Sequence, residues 1–412
     1  MNESKKIIVV GGGIVGVSCA LFLQRDGHHV TIVDPAEPGT MTSFGNAGSL
    51  SMSSVLPTAM PGLWKKLPKM LLDSTGPLNV RWQYLPRLLP FLLAFLRNTA
   101  PERVEANGRA IAALIHGVMD AYNVLVRETS AESLIRRNGA LKVYETDASF
   151  AAAQFERDAL ERNDCNFEIL NADELGQLEP GLEPIFKYAM FLPESGGATN
   201  PGRLVKHFTE AFVANGGEIV SASARDFTLG ADKAVLTDGG GRYQADHIVL
   251  AAGPWSGQLA AKLGAPVRLE AERGYHIMLP TPPVTLNRFT YFADRQFVLT
   301  PHEEGLRLTT GVEYAKVDAP PDYRRIRGLL PQTTQVMRNL DPTEQSIWCG
   351  NRPTLPDSVP VIGPAPNDSA IFLAFGHSHL GLTMGPVTGR IIADLVAGRD
   401  PGVDLTPYRP NR

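Results

Sequence analysis

Apolar residues fall along this chain in short runs punctuated by glycine and proline, and the first run sets the pattern. Residues 7–10 are continuously apolar and stop at Gly11-Gly12-Gly13, which reads as a buried strand entering a glycine turn. The uncharged stretch that follows predicts a helix over 14–25. Gly27 breaks it, and 29–33 reads as a second buried strand that Pro35, Pro38 and Gly39 bring to an end. Lys5 and Lys6 ahead of the uncharged stretch, with Ser18-Cys19-Ala20 inside it, imitate a secretory leader. Three consecutive glycines weaken an apolar leader helix, and a strand follows at once, so strand, turn, helix, strand is the favoured reading.

Further along, 42–54 is rich in Ser, Gly and Asn and predicts a loop. The helical spacing of Ile111, Leu114, Ile115, Val118 and Met119 predicts a helix over 104–127, followed by a strand at 140–144 and a helix at 148–163. Asn200-Pro201 is a helix start, with Leu204, Val205, Phe208 and Phe212 on one face and Gly216-Gly217 at the end. Strands are then expected at 218–227, at 233–238 and 242–247 (a hairpin through Gly239-Gly240-Gly241) and at 248–252. Three more, at 269–280, 291–300 and 306–314, form an antiparallel set, and a late strand at 371–375 precedes a helix over 385–397. Units of strand plus helix thus occur at the start, middle and end, with elements of another kind between them. The fold class implied is α/β combined with α+β. A discontinuous Rossmann-like domain (1–60, 195–265 and 345–412) carries an inserted substrate domain (61–194 and 266–344) built on an antiparallel sheet with helices.

Composition narrows the function classes. The 412 residues are 43% hydrophobic and 20% charged, as in a globular chain of two or more domains. Thirty-nine basic against 43 acidic residues leave a net charge of −4, so no basic excess asks for nucleic acid. Cys19, Cys165 and Cys349 are odd in number, far apart and never C-x-x-C, which fits a reducing, cytoplasmic compartment. His377 and His379 stand two apart with no third ligand type nearby, so no metal is expected. Gly376-His377-Ser378-His379 begins a nucleophile-elbow pattern, but Leu380 occupies its fifth position.

Gly11-x-Gly13-x-x-Gly16 follows a strand and opens a helix, and Asp34 ends the next strand. Gly11 permits the tight turn, Gly13 lets backbone approach a pyrophosphate, and Gly16 lets helix and strand pack closely. Free N–H groups at the helix start attract phosphate. Asp34 would accept from a ribose hydroxyl and repel a 2′-phosphate, which disfavours NADP. One such motif, at the extreme start, with no second one for a pyridine nucleotide, points to a flavoprotein.

At this point the chain resembles the amino-acid oxidase and dehydrogenase superfamily of flavoproteins, grouped with glycine and sarcosine oxidases, and is most similar to its D-amino-acid dehydrogenase branch. Four segments carry the likeness. They are Val9-Val10-Gly11-Gly12-Gly13-Ile14-Val15-Gly16, Thr42-Ser43-Phe44-Gly45-Asn46-Ala47-Gly48, Gly350-Asn351-Arg352-Pro353-x-x-Pro356-Asp357 with Pro360-Val361-Ile362-Gly363, and Gly376-His377-Ser378-His379-Leu380-Gly381-Leu382-Thr383. The resemblance implies FAD along Gly11, Gly13, Ile14, Val15, Gly16 and Asp34, a flavin-facing loop with Ser43, Asn46, Ala47 and Gly48, and contacts from Gly253, Gly376, His379, Gly381, Leu382 and Thr383. Ala224, read as part of the third nucleotide-domain strand, would lend backbone to the adenine end. Some relatives bind flavin through a late cysteine; here only Cys349 is late, just before the arginine motif, so non-covalent FAD is expected.

The implied reaction is hydride transfer from the α-carbon of an amino acid to flavin N5, followed by hydrolysis of the imine. Arg352 is expected to hold the substrate carboxylate, because its planar fork makes two charge-assisted bonds to one carboxylate. Tyr275 is expected to second it, with His276 on the opposite face of the same strand. D-Proline and 4-hydroxy-D-proline are candidate substrates. A glycine- or sarcosine-type oxidase using oxygen, and the flavin subunit of a heteromeric opine-oxidising complex, are the alternatives. Residues 85–96 include nine apolar residues of twelve, flanked by Lys65, Lys66, Lys69, Arg81, Arg87 and Arg97. Together with Trp64 and Trp82 this reads either as an interfacial segment passing electrons to a membrane quinone on the inner face of the cytoplasmic membrane, or as a buried helix with a proline-rich loop.

Overall fold

The computed structural model describes residues 3–63 and 78–412. Its first sheet has six strands, in the order Glu218–Ser221, His29–Asp34, Lys6–Val10, His247–Leu250, Asp368–Phe375, Val361–Ala365. The first five run parallel and the last antiparallel. Parallel strands must be covered on both faces, and the opening apolar run shows why it has no polar alternation: Ile7 and Val9 pack into one core cluster, Ile8 and Val10 into another. The helix Ile14–Arg25 covers one face and crosses the last long helix, Gly381–Val396. A Cβ at Gly389 would come within 2.6 Å of the Ser18 backbone, so glycine there lets the two helices meet.

The second sheet has nine strands. Eight follow the order Ser346–Thr354, Glu270–Leu279, Gly305–Tyr314, Phe297–His302, Phe289–Phe292, Ala140–Tyr144, Tyr188–Leu192, Glu168–Asn171, and Leu78–Val80 lies beside Gly305–Tyr314. Pairing is antiparallel except between Phe289–Phe292 and Ala140–Tyr144, and between Leu78–Val80 and Gly305–Tyr314. Tyr275, Ile277, Leu279, Leu299 and Leu308 form an outer core with Ile326 and Met337, while the other face of the sheet roofs a cavity.

The expected class is therefore present, with local differences. The stretch 218–227 is two strands: Glu218–Ser221 stays in the parallel sheet, and Ala224–Thr228 joins the hairpin Ala234–Thr237 and Arg242–Gln244 in a separate three-stranded sheet. Ala224 is thus not in a nucleotide-sheet strand. The stretch 291–300 is a hairpin of Phe289–Phe292 and Phe297–His302, turned at Gln296 with φ 57°. The expected helix over 104–127 is two, Pro101–Ile115 and Val118–Glu128. They break at Gly117, where a Cβ would press within 2.7 Å of Arg390. By length and mean hydropathy (1.2) Pro101–Glu128 could cross a bilayer, but 56% of its most apolar window is buried inside the protein. Ser346–Thr354, expected with the nucleotide segments, pairs with Glu270–Leu279 in the roofing sheet. Of the basic apolar segment, Trp64, Lys65, Lys66 and Lys69 lie outside the described residues.

Candidate active site

A cavity of about 510 Å³ runs between the carboxyl ends of the parallel strands and the roofing sheet. At its nucleotide end Gly11 has φ +114°, and a Cβ there would overlap the Ala251 carbonyl. A Cβ at Gly16 would overlap the Gly11 carbonyl. Both clashes are with backbone, which cannot step aside. The Asp34 carboxylate accepts from Gly12 N at 2.6 Å and from Ala36 N at 2.8 Å, which stations it at the rim of the turn. The Ile14 N–H donates to Ser43 Oγ at 3.0 Å, so the loop after the second strand is tied to the helix start.

That loop passes beneath the roof. Asn46 Oδ1 accepts from Gly48 N at 2.8 Å, so the Asn46 side chain shapes its own loop. Gly48 has φ +82° and sits against the Ala198 carbonyl. Thr383, at the start of the last helix, accepts from Ser51 N at 3.2 Å and donates to Ser49 O at 3.3 Å, which joins the two segments expected to face flavin. His377 turns inward to Thr388 Oγ1 at 2.9 Å, and burial pushes its pKa down to about 3. His379, two residues on, exposes its ring to the cavity. Protein crowding still lowers its pKa, with the Glu272 charge opposing and the Arg352 charge adding.

In the roof, Trp348, Gly350 and Arg352 alternate toward the cavity, while Cys349 packs on the outer core. The register sets Trp348 beside His276, Gly350 beside Gly274 and Arg352 beside Glu272. A Cβ at Gly274 would overlap the Arg352 guanidinium, and one at Gly350 would overlap the Trp348 ring. Arg352 Nη1 donates to Glu272 Oε1 at 2.7 Å and to Gly311 O at 3.0 Å. The guanidinium therefore lies across a trough where three neighbouring strands carry glycine. Its Nε and Nη2 have no acceptor among the described residues, which leaves one edge of the fork for a carboxylate. Two cavity-lining hydroxyls, Ser378 Oγ and Thr309 Oγ1, are buried without a partner. A bound ligand can satisfy such cavity-facing hydroxyls. Glycine cradle, helix start, Asp34 and orphan hydroxyls together suit a flavin dinucleotide.

All the expected site residues line the cavity except Gly16 and Gly48, which act one step back by letting backbone close up. Tyr275 borders the cavity, but its hydroxyl donates to Glu313 Oε2 at 2.5 Å and its ring packs on Tyr323 in the outer core. Its neighbour His276 is the one that reaches the flavin-facing loop, at 3.2 Å from Gly45 O. Tyr275 therefore keeps its expected place on the cavity wall with its hydroxyl turned away to Glu313, while His276 is not among the lining residues and reaches the loop from behind. Glu272, Gly274, Trp348 and Thr309 were not anticipated. Gly274, inside an otherwise good strand, carried a readable signal of close approach.

The family described as "DAO: FAD dependent oxidoreductase" matches residues 6–395. A D-amino-acid oxidase of Bradyrhizobium diazoefficiens is 36% identical, over 100% of both chains. A D-amino acid dehydrogenase of the same organism is 30% identical, over 99% of this chain and 98% of the relative. The crystal structure of glycine oxidase from Geobacillus kaustophilus superimposes with a TM-score of 0.76 at 21% identity, over 100% of this chain and 99% of that one.

Proposed function

The chain belongs to the DAO family of FAD-dependent oxidoreductases and oxidises an amino acid, and from that premise we propose that its substrate is a D-amino acid. Cyclic secondary amines such as D-proline and 4-hydroxy-D-proline are the leading candidates. The observation that carries this reading is the free edge of Arg352, held over the glycine trough by Glu272 and facing the same cavity as the dinucleotide cradle. Bound FAD supplies the hydride acceptor. The protein's part is to fix the substrate carboxylate on Arg352, aim the α-carbon and exclude water. Glu272 fixes the arginine before substrate arrives, so little rotamer freedom is lost on binding. His379, held neutral beside Arg352 and Glu272, is placed to take the proton that a substrate ammonium must shed before its C–H bond can be broken. None of the three cysteines lines the cavity, which supports non-covalent FAD.

The proposed electron acceptor is a membrane quinone rather than oxygen. What supports this is the helix Leu85–Arg97, which buries Leu88 and Phe91 and turns Leu85, Leu89 and Leu93 outward in line with the exposed Trp82. The 36% relative carries the name of an oxidase, so oxygen is the rival acceptor.

Anaerobic mixing with D- and L-amino acids tests the substrate. Bleaching of the flavin by D-proline or its hydroxylated forms is expected. Bleaching by L-isomers or glycine alone would overturn the stereochemical reading. Stoichiometric peroxide on readmitting air would overturn the acceptor.

A further inference from the structure

The flavin-facing loop is held from behind by three side chains that neither the motifs nor the reaction above employ. Arg307 Nη1 donates to Phe44 O at 3.1 Å and to Asn46 O at 2.6 Å. His276 Nδ1 lies 3.2 Å from Gly45 O, and His302 Nε2 lies 3.2 Å from Ala47 O. The Ala198 N–H donates to Gly48 O at 2.7 Å. A carbonyl only accepts, so these are the protonated nitrogens of two neutral imidazoles. Five consecutive carbonyls are thus drawn to one side. The N–H groups of Gly45 and Ala47, two cavity-lining residues, have no acceptor among the described residues.

Arg307 is 4% exposed and has no carboxylate within ion-pair distance among the described residues. Its Nε donates to Met278 Sδ at 3.3 Å. Glu304 acts on Arg307 only at a distance, and a buried guanidinium without a contact ion pair is costly to keep. Its place directly behind the loop that faces flavin suggests what the charge is kept for: a ligand that becomes more negative when it accepts hydride.

We propose that Arg307, with His276 and His302, is a positioning clamp that presents the Gly45 and Ala47 N–H groups to the flavin, and that the Arg307 charge favours the reduced, anionic flavin. The clamp separates two contributions. Geometry sets how tightly flavin binds, and charge sets how readily it is reduced.

Arg307→Gln and Arg307→Lys test this on the full chain, reading flavin dissociation from the apoprotein, melting of the apoprotein and the flavin midpoint potential. Arg307→Gln should raise the flavin Kd by about tenfold or more, the scale of one lost buried charge-assisted bond, and should lower the potential. Arg307→Lys should restore the potential but not the full affinity. Should Arg307→Gln fail to fold, His276→Phe serves instead, because it keeps a ring on Trp348 but removes the donor to Gly45 O, and the charge stays. It is expected to weaken flavin binding and leave the potential unchanged. Unaltered flavin affinity in either variant, or equal losses of apoprotein and holoprotein stability with an unshifted potential in Arg307→Gln, would overturn the clamp.

Discussion

The two ends of the cavity are built by opposite means. At the nucleotide end the shape is made by backbone. Gly11 and Gly16 remove Cβ atoms that would strike carbonyls, and the Asp34 carboxylate accepts from Gly12 N at the rim of the turn. At the roof end the shape is made by side chains from strands distant in sequence. Arg352 lies on Gly274 and is held by Glu272, 80 residues away. A backbone cradle is a local device, settled within one strand, turn and helix. The roof exists only once the register is fixed, and it can be retuned by single substitutions without loss of the fold.

The sharpest way to break this contrast is Gly16→Ala. The added methyl meets a carbonyl that belongs to the phosphate turn itself, so the turn must open. We expect protein that purifies without flavin and without activity, seen in the visible spectrum. A yellow, stoichiometrically loaded variant would show that the cradle is not rigid. At the roof, Gly274→Ala meets the end of a flexible side chain instead. Flavin should stay bound while kcat/KM falls by about 100-fold, as the arginine is displaced, and Arg352→Lys should cost about as much or more by losing the fork. Loss of flavin in Gly274→Ala would erase the distinction between the two ends.

The same contrast decides what could be read from the sequence. The cradle, the Asn200 cap with its bond to Arg203 N at 3.0 Å, and the final helix were legible because each is specified by neighbours in the chain. Arg352 was legible through the family likeness of its motif. Glu272, Gly274 and Arg307 were not, because their roles depend on which strand lies beside which. Tyr275 and His276 show the limit most plainly. Period-two alternation separated them correctly, but only the packing of Ile277, Leu279 and Leu308 under Ile326 decides which face is outside. A bulge between Arg273 and Tyr275 then carries the tyrosine hydroxyl to Glu313. The chain left the parallel sheet after Ser221, where Ala222 N turns back to Asp34 O at 3.2 Å, and apolar patterning gives no sign of that exit.

Acid sharpens the comparison further, because the buried imidazoles behind the flavin loop have no counterpart in the glycine turn. Burial, and then the Arg307 charge, bring His276 down to about 3 and hold His302 well below its ordinary value. Both fold as neutral rings, while the unfolded chain takes up protons near the usual imidazole pKa of about 6.5. Between that value and the folded pKa the unfolded state binds more protons, so stability is full above about pH 6.5 and falls as pH drops. Each such imidazole contributes a slope of up to about 1.4 kcal/mol per pH unit. Melting temperature should therefore decline from pH 7 to pH 5, with flavin released in the same range. His276→Gln should flatten the decline; an unchanged slope would mean that other groups carry it.

The smallest effect on stability is expected on the helix Leu85–Arg97, where the contrast recurs within a single element. Leu88 and Phe91 are buried with Tyr84 and Tyr314, and truncating either to alanine should cost about 2–5 kcal/mol. Leu85, Leu89 and Leu93 are 41%, 51% and 52% exposed, and Trp82 is 79% exposed. Serine at the three leucines removes no internal contact of consequence and should move stability by no more than about 0.5 kcal/mol per site. Turnover with a soluble dye as acceptor should be unchanged. If the outer face rests on lipid, flotation with anionic vesicles should be lost in the triple variant and kept in Leu88→Ala, so binding follows the face and not the stability of the helix. Equal flotation of the triple variant and the unaltered protein would mean that this face does not meet the membrane, and the reason for four exposed apolar side chains in register would have to be sought in a protein partner instead.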